Sequence, residues 1–243
     1  MKMQTEETQK PIVFISTGPG HYSKLTLEAL ALLRWVDKIY CFASLEGEHY
    51  HSRTLDTLLE ADKSIGQKCE IVDLHMDNDR TQALDAYQHL ADKLAQEWKD
   101  GKYVAVCAEG ATGIYASVRN LMLMLSAQQI PWVELPGIPS FVAGAALAGI
   151  GLCEQNTRML VVPGDITTNE ILEHLRNHTN LVIMKPTRCE KEIKAFIQNN
   201  ACDFEFYYCE NISCPGQRIV HEPCEILKIE TFPYFSILII RTR

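Results

Sequence analysis

The stretch from Lys102 to Ser117, KYVAVCAEGATGIYAS, constrains the fold of this chain more than any other. Its first half, Tyr103 to Ala108, is a short apolar run with the β-branched content of a buried parallel strand. The run breaks at Glu109-Gly110-Ala111-Thr112-Gly113, and helical spacing resumes at Tyr115, Val118 and Leu121. A strand that ends in a glycine turn and passes into a helix presents backbone N–H groups at the carboxyl edge of its sheet, where α/β proteins bind ligands. Two other stretches, Ser16-Thr17-Gly18-Pro19-Gly20-His21 and Leu135-Pro136-Gly137-Ile138-Pro139-Ser140, repeat this pattern. The three turns are predicted to form one site.

The remaining elements follow in chain order. Pro11 to Ile15 is a strand, Leu25, Ala29, Leu32 and Trp35 share one helical face, and KIYCFA begins the next strand. Such strand, helix, strand units build parallel sheets with right-handed crossovers. A helix is predicted around Thr54 to Lys63, a strand at Glu70 to Leu74 and a helix from Thr81 to Trp98, closed by Asp100-Gly101. A helix from Ile114 to Gln128 and an edge strand at Pro131 to Leu135 complete a first α/β lobe with a parallel five-stranded sheet, residues 1–135. Residues 136–243 form a second α/β lobe. Its predicted elements are helices over Pro139 to Gly149, from Thr168, and over Arg188 to Gln198. Strands are predicted at Arg158 to Val162, Asn180 to Met184, Phe204 to Cys209, Arg218 to His221, Glu225 to Glu230 and Tyr234 to Ile240. Back-to-back strands there predict a mixed sheet, and the expected architecture is two α/β lobes around a cleft.

Bulk properties exclude several classes. At 243 residues the chain can bury a sizeable core, and 47% hydrophobic composition argues against disorder. A net charge of -8 argues against a nucleic-acid binder, which normally carries a basic face. The opening MKMQTEETQK is polar with no apolar core behind it, so a loose tail, no secretory signal and a cytoplasmic location are expected. The most membrane-like segment, Phe141 to Leu152, is about a dozen residues where roughly 20 are needed, so no membrane partner is expected. Nine scattered cysteines without a Cys-x-x-Cys read as reduced thiols. The residue types of Cys209, Cys214, His221 and Cys224 suit zinc, but their spacing fits no common module, and no metal is expected.

Six stretches in order carry a resemblance: ISTGPGHYSKLTLEAL, AEGATGIYAS, VELPGIPSFVAGAALAGIGL, LVIMKPTR, YYCENISCPGQRIV and PYFSILII. The first resembles the Gly-x-Gly-Pro-Gly-Asp motif of the tetrapyrrole (corrin and porphyrin) methylases, the second their Gly-Asp-Pro loop, and the third their Pro-Gly-x-Ser-Ser helix. The last three resemble strands of that family's second lobe. Within the family, the spacer from Met76 to Gly101, the Val-Ile-Met-Lys strand and the Pro-Tyr-Phe-Ser ending are most similar to the precorrin-2 C(20)-methyltransferase branch. The triplet Gly113 to Tyr115 also resembles the loop of the precorrin-3B C(17)-methyltransferase branch.

The resemblance implies an S-adenosylmethionine-dependent methyltransferase acting on a ring carbon of a tetrapyrrole of the precorrin-2 or cobalt-factor II type, in cobalamin biosynthesis, as a homodimer. Carried over by position, the cofactor contacts are Pro19, Glu109, Gly110, Ala111, Ile114, Pro139, Ser140 and Met184. Three positions depart from the family pattern: Ser16 for its first Gly, His21 for its first-motif Asp, and Ala111 for its loop Asp. His21 is the catalytic candidate, as an acid/base or propionate-binding group. A substrate with several carboxylates calls for cations in the cleft, and Lys24, Arg119, Lys185 and Arg188 are the candidates, with Tyr115 lining it. His49 and His51 read as loop residues. Two alternatives stay open: a family member that binds the cofactor or a tetrapyrrole without methylating it, and methylation of another acceptor such as ribosomal RNA.

Overall fold

The fold was analysed on a computed structural model, which describes residues 9–46, 49–74 and 80–243. Most of the expected N-terminal tail, the Gly47-Glu48 pair and the start of the Met76–Gly101 spacer lie outside these residues. The chain divides into two units, Met1–Ile138 and Pro139–Arg243.

In the first unit, strands β1 (Ile12–Ser16), β2 (Lys38–Glu46), β4 (Cys69–Leu74), β5 (Val104–Ala108) and β6 (Trp132–Leu135) are the five strands read from the sequence, and all are mutually parallel. With β3 (His49–His51) at one edge, the sheet order is β3-β2-β5-β1-β6, with β4 also on β2. Strand β3 (His49–His51) pairs antiparallel with the end of β2, so His49 and His51 sit on a short strand and not in a loop. Helices α1 (Leu27–Trp35), α2 (Arg53–Ala61), α3 (Arg80–Lys99) and α4 (Arg119–Ala127) complete the unit.

Side chains alternate across a strand, so a sheet covered on both faces shows two interleaved apolar sets. Ile12, Phe14, Tyr40, Val104 and Val106 pack with Tyr87, Leu90 and Leu94 of α3 and Leu121, Met122 and Leu125 of α4. Val13, Ile15, Ile39, Cys41, Ala105 and Cys107 pack with Ala29 and Leu33 of α1 and Leu58 of α2. The face of α1 is shifted from that expected: Leu33 is buried, whereas Trp35 is 77% exposed.

In the second unit, β7 (Arg158–Val162), β8 (Thr179–Met184), β9 (Phe204–Glu210), β10 (Arg218–Val220) and β11 (Ser236–Thr242) form a mixed sheet of order β10-β9-β11-β8-β7, in which only β7 and β8 are parallel. The Glu225–Glu230 stretch is not a strand. Pro223 opens a short helix there, α8 (Pro223–Leu227), because proline suits the first helical turn and Ile226 turns inward from it. Helices α6 (Thr168–Arg176) and α7 (Glu190–Asn200) bury Ile171, Leu175, Ile193, Phe196 and Ile197 against Leu181, Ile183, Phe206, Tyr208, Leu238 and Ile240. The glycine-rich segment is helix α5 (Ser140–Ala148), ended by Gly149 with φ 71°. Among the described residues no helix is long and apolar enough to cross a membrane.

Candidate active site

Strands β5, β1 and β6 are neighbours, and all run the same way, so the turns that follow them emerge side by side at one edge. The first two turns are bonded to each other. The N–H of Gly18 donates to the carbonyl of Gly110 at 3.0 Å, and the N–H of Gly110 donates to the carbonyl of Gly18 at 2.9 Å. Both residues have left-handed backbone, φ 74° and 78°, which glycine adopts without strain. The third turn closes on them through Gly137. A Cβ there would lie 2.6 Å from the Ser16 Cβ and 2.8 Å from the carbonyl oxygens of Ser16 and Gly110, so no larger residue fits.

Under this backbone contact runs a buried polar chain. The Ser16 and Thr112 hydroxyls are 2.7 Å apart, the N–H of Thr112 donates to Ser16 Oγ at 2.9 Å, and the Thr112 hydroxyl donates to Glu134 Oε1 at 2.5 Å. Ser16 and Thr112 are essentially sealed from solvent. Sequence reading passed over Thr112 and Glu134. The first link spans 96 positions and the last 22, so no local pattern marks them. Helix α2 braces the first turn, since the Thr57 hydroxyl donates to the Gly20 carbonyl at 2.5 Å. Arg53, at the start of α2, lies 3.5 Å from the Glu109 carboxylate and is a cation that the sequence reading also missed.

The N–H of Gly110 is taken up by Gly18, and its carbonyl accepts one bond, from Gly18, so its backbone N–H does not reach a ligand. What Gly110 offers is room: a Cβ on it would meet nothing within 4 Å. The N–H groups of Ala111 and Gly113 donate to none of the described residues, and the Ala111 carbonyl accepts from Ile114 at 3.0 Å. The chain after the turn is not yet helical. Tyr115 has φ 50° and α4 begins only at Arg119, so the expected helix start at Ile114 is five residues early. Tyr115 is exposed, which removes it from the core.

His21 caps the short 3-10 turn Tyr22–Lys24, accepting the Ser23 N–H at Nδ1 over 3.2 Å. An Asp is among the preferred residues for such a cap, so His21 fills the local backbone role that the family's Asp could serve. With Nδ1 accepting, the neutral ring carries its proton on Nε2. Lys24 is half-buried, with its Cβ packed beside Gly18. Arg119 is paired 3.8 Å from Glu134 Oε2 and lies over the Trp132 ring at 5.4 Å. Pro19 is buried, and Ile114 is half-buried.

The other candidates belong to the second unit. Pro139 caps α5 and Ser140 begins it. Met184 ends β8 opposite Ile237 and is half-buried. Lys185 follows with φ 55°, and the Arg188 guanidinium donates to the Pro163 carbonyl at 3.4 Å. Cys209 is buried, Cys224 is exposed, and His221 lies beside Glu222 at 3.3 Å. Among the described residues, no group of three or more His, Cys, Asp or Glu side chains could hold a metal ion.

Residues 11–227 match the family described as Tetrapyrrole (Corrin/Porphyrin) Methylases. The chain belongs to the tetrapyrrole methylases. Among curated relatives of this methylase, the precorrin-2 C(20)-methyltransferase of Sinorhizobium sp is 29% identical over 73% of this chain and 74% of its own length. The cobalt-precorrin-2 C(20)-methyltransferase of Salmonella typhimurium is 25% identical over 93% and 94%. Among solved structures, a cobalt precorrin-4 methyltransferase superposes with a TM-score of 0.70 at 15% identity, covering 95% of this chain and 94% of its own. At that identity the likeness speaks for the fold, which the methylase shares over nearly its whole length.

Proposed function

We propose that the protein is an S-adenosylmethionine-dependent methyltransferase that acts on a ring carbon of a tetrapyrrole of the precorrin-2 class in cobalamin biosynthesis. The observation that carries this reading is the interlocked set of three turns at the ends of β5, β1 and β6, in a chain of this family. The names of the two relatives above support the C(20) position.

The residues of the first unit fit the cofactor. The open space over Gly110 admits a ligand against backbone, and the N–H groups of Ala111 and Gly113 are available to its polar ends. Pro19, Glu109, Gly110, Ala111 and Ile114 would hold it. For Pro139, Ser140 and Met184 the family positions are the support. When bound, the cofactor supplies an electrophilic methyl group on a sulfonium. What this chain contributes is alignment, which can account for much of the acceleration without a nucleophilic side chain. Arg53, held by Glu109, is a cation placed to recognise a substrate carboxylate, alongside Lys24 and Arg119. His21 serves by holding the first turn, so its removal is expected to weaken binding more than turnover.

Calorimetric titration with S-adenosylhomocysteine tests the cofactor, with micromolar affinity, about -8 kcal/mol, expected. Absence of binding to folded protein would overturn it. Methyl transfer to precorrin-2 against cobalt-precorrin-2, followed by mass, tests the substrate, and failure with both acceptors would overturn that assignment alone. The proposal includes a homodimer, which sedimentation equilibrium checks.

A further inference from the structure

The turn after β5 has no acidic residue at Ala111, yet a carboxylate still reaches it from β6, on the far side of β1. Glu134 projects from β6 and accepts the Thr112 hydroxyl at 2.5 Å. A carboxylate can only accept, so the Thr112 proton points at Oε1. Ser16 Oγ already accepts the Thr112 N–H at 2.9 Å, and its own proton therefore goes to Thr112 Oγ1, 2.7 Å away. Every donor in this chain is directed toward Glu134. The other carboxylate oxygen faces the Arg119 guanidinium at 3.8 Å, and a Cβ on Gly113 would sit 3.5 Å from Oε1. The carboxylate thus lies beside Thr112 and Gly113 and ends a chain that joins β1, the turn after β5, and β6.

We infer that Glu134 is a positioning residue of the candidate site, fixing the Thr112 hydroxyl and through it the 110–113 backbone against which the cofactor binds. It touches neither cofactor nor substrate. The reason it can act is burial: Thr112 is sealed from water, so losing the terminal acceptor leaves its hydroxyl proton without a partner, and the turn must rearrange. This rests on the cofactor reading above for its consequence, though not for the order of the turn itself.

The test uses the full chain and four variants: Thr112→Ser, Thr112→Val, Glu134→Leu, and the double variant Thr112→Val with Glu134→Leu. In ligand-free protein, amide exchange over residues 109–117 should rise by about ten-fold in Thr112→Val and Glu134→Leu, the scale of one buried hydrogen bond, and stay near wild type in Thr112→Ser. S-adenosylhomocysteine affinity should fall about ten-fold in the same two and recover in Thr112→Ser, and the double variant should be no worse than either single one. Wild-type binding with no loss in Thr112→Val and Glu134→Leu would overturn the positioning role alone. No binding by wild type would overturn the cofactor reading, and the exchange data would then still decide whether Glu134 orders the turn. Unchanged exchange would overturn it. Should Glu134→Leu fail to fold, Thr112→Val, which keeps the side-chain shape, carries both readouts.

Discussion

Gly137→Ala is the substitution that bears most directly on whether the three turns are one object. The added methyl would lie 2.6 Å from the Ser16 Cβ, whereas real Cβ atoms essentially never come within 3.0 Å of another heavy atom. Its other neighbours are the carbonyl oxygens of Ser16 and Gly110, both at 2.8 Å. None of these atoms ends a flexible side chain. Ser16 is held in register by the β1–β5 pairing and Gly110 by its paired bonds to Gly18, so the third turn itself must move. Overpacking of this kind costs about 1–3 kcal/mol. If that strain is released when the turns part, it appears as a loss of S-adenosylhomocysteine affinity of about five- to 150-fold, at 1.4 kcal/mol per factor of ten. Titration calorimetry reads the affinity, and urea unfolding reads any part of the strain that falls on stability. Gly151→Ala is the control, since its Cβ would meet nothing closer than 3.6 Å. Its effect should stay within about 0.5 kcal/mol. Wild-type affinity and wild-type stability in Gly137→Ala would refute the interlocked geometry.

Three further outcomes are expected. Glu97 is 6% exposed and takes Lys38 at 3.3 Å and Lys102 at 3.4 Å on one oxygen, while Lys38 also pairs with Glu70 at 2.5 Å, so Glu97→Ala leaves only Lys102 without its carboxylate and should destabilise the protein by about 1 kcal/mol in urea unfolding. Burial pushes the Glu190 carboxyl up, but the Lys194 ammonium at 2.5 Å and the Phe232 N–H at 2.9 Å outweigh it and hold the group below its usual 4.5. Its contribution is therefore fully present above pH 4.5 and is lost as pH falls through the lowered value. The stability gap between wild type and Glu190→Gln should close in that acid range, and a gap independent of pH would contradict this. Burial pushes the Cys189 and Cys209 thiols up to about 11, so a thiol reagent at neutral pH should label exposed Cys153, Cys202 and Cys224 first and reach Cys41, Cys107, Cys189 and Cys209 only after unfolding.

Strands β1 and β5 are legible because each is a short run buried on both faces, and the glycines after β1, β5 and β6 announce the turns. Three readings failed for identifiable reasons. At Glu225–Glu230 the apolar content is strand-like, but Ile226, Leu227 and Ile229 do not alternate, and Pro223 sets a helical start from which Ile226 and Ile229 turn inward. Between Ile114 and Val118 the helical spacing is present, yet the left-handed backbone of Tyr115 breaks the ladder. At His49–His51 three residues are too few to show a period, and their strand character comes from pairing with the end of β2. Pairwise chemistry across the sheet is not legible at all, since Thr112 and Glu134 are ordinary residues until the turn after β5 and strand β6 bring them to one place.

At the three positions that depart from the motifs this chain resembles, other groups fill a local role. His21 accepts the Ser23 N–H, so the first turn keeps its cap without an Asp. Ala111 brings no carboxylate to the second turn, and Glu134 reaches its Thr112 hydroxyl from β6. Ser16 adds a hydroxyl where glycine would leave none, and that hydroxyl accepts the otherwise buried Thr112 N–H. The last two changes are coupled, because a Ser16 without Glu134 leaves its chain of donors with no terminal acceptor. Ser16→Gly alone would therefore not restore the family's turn. It would strip Thr112 of a partner for its N–H while leaving Glu134 in place, and it should raise amide exchange at the second turn as Thr112→Val does. If Ser16→Gly left that exchange at the wild-type rate, the three departures would be independent substitutions and not one rebuilt anchor.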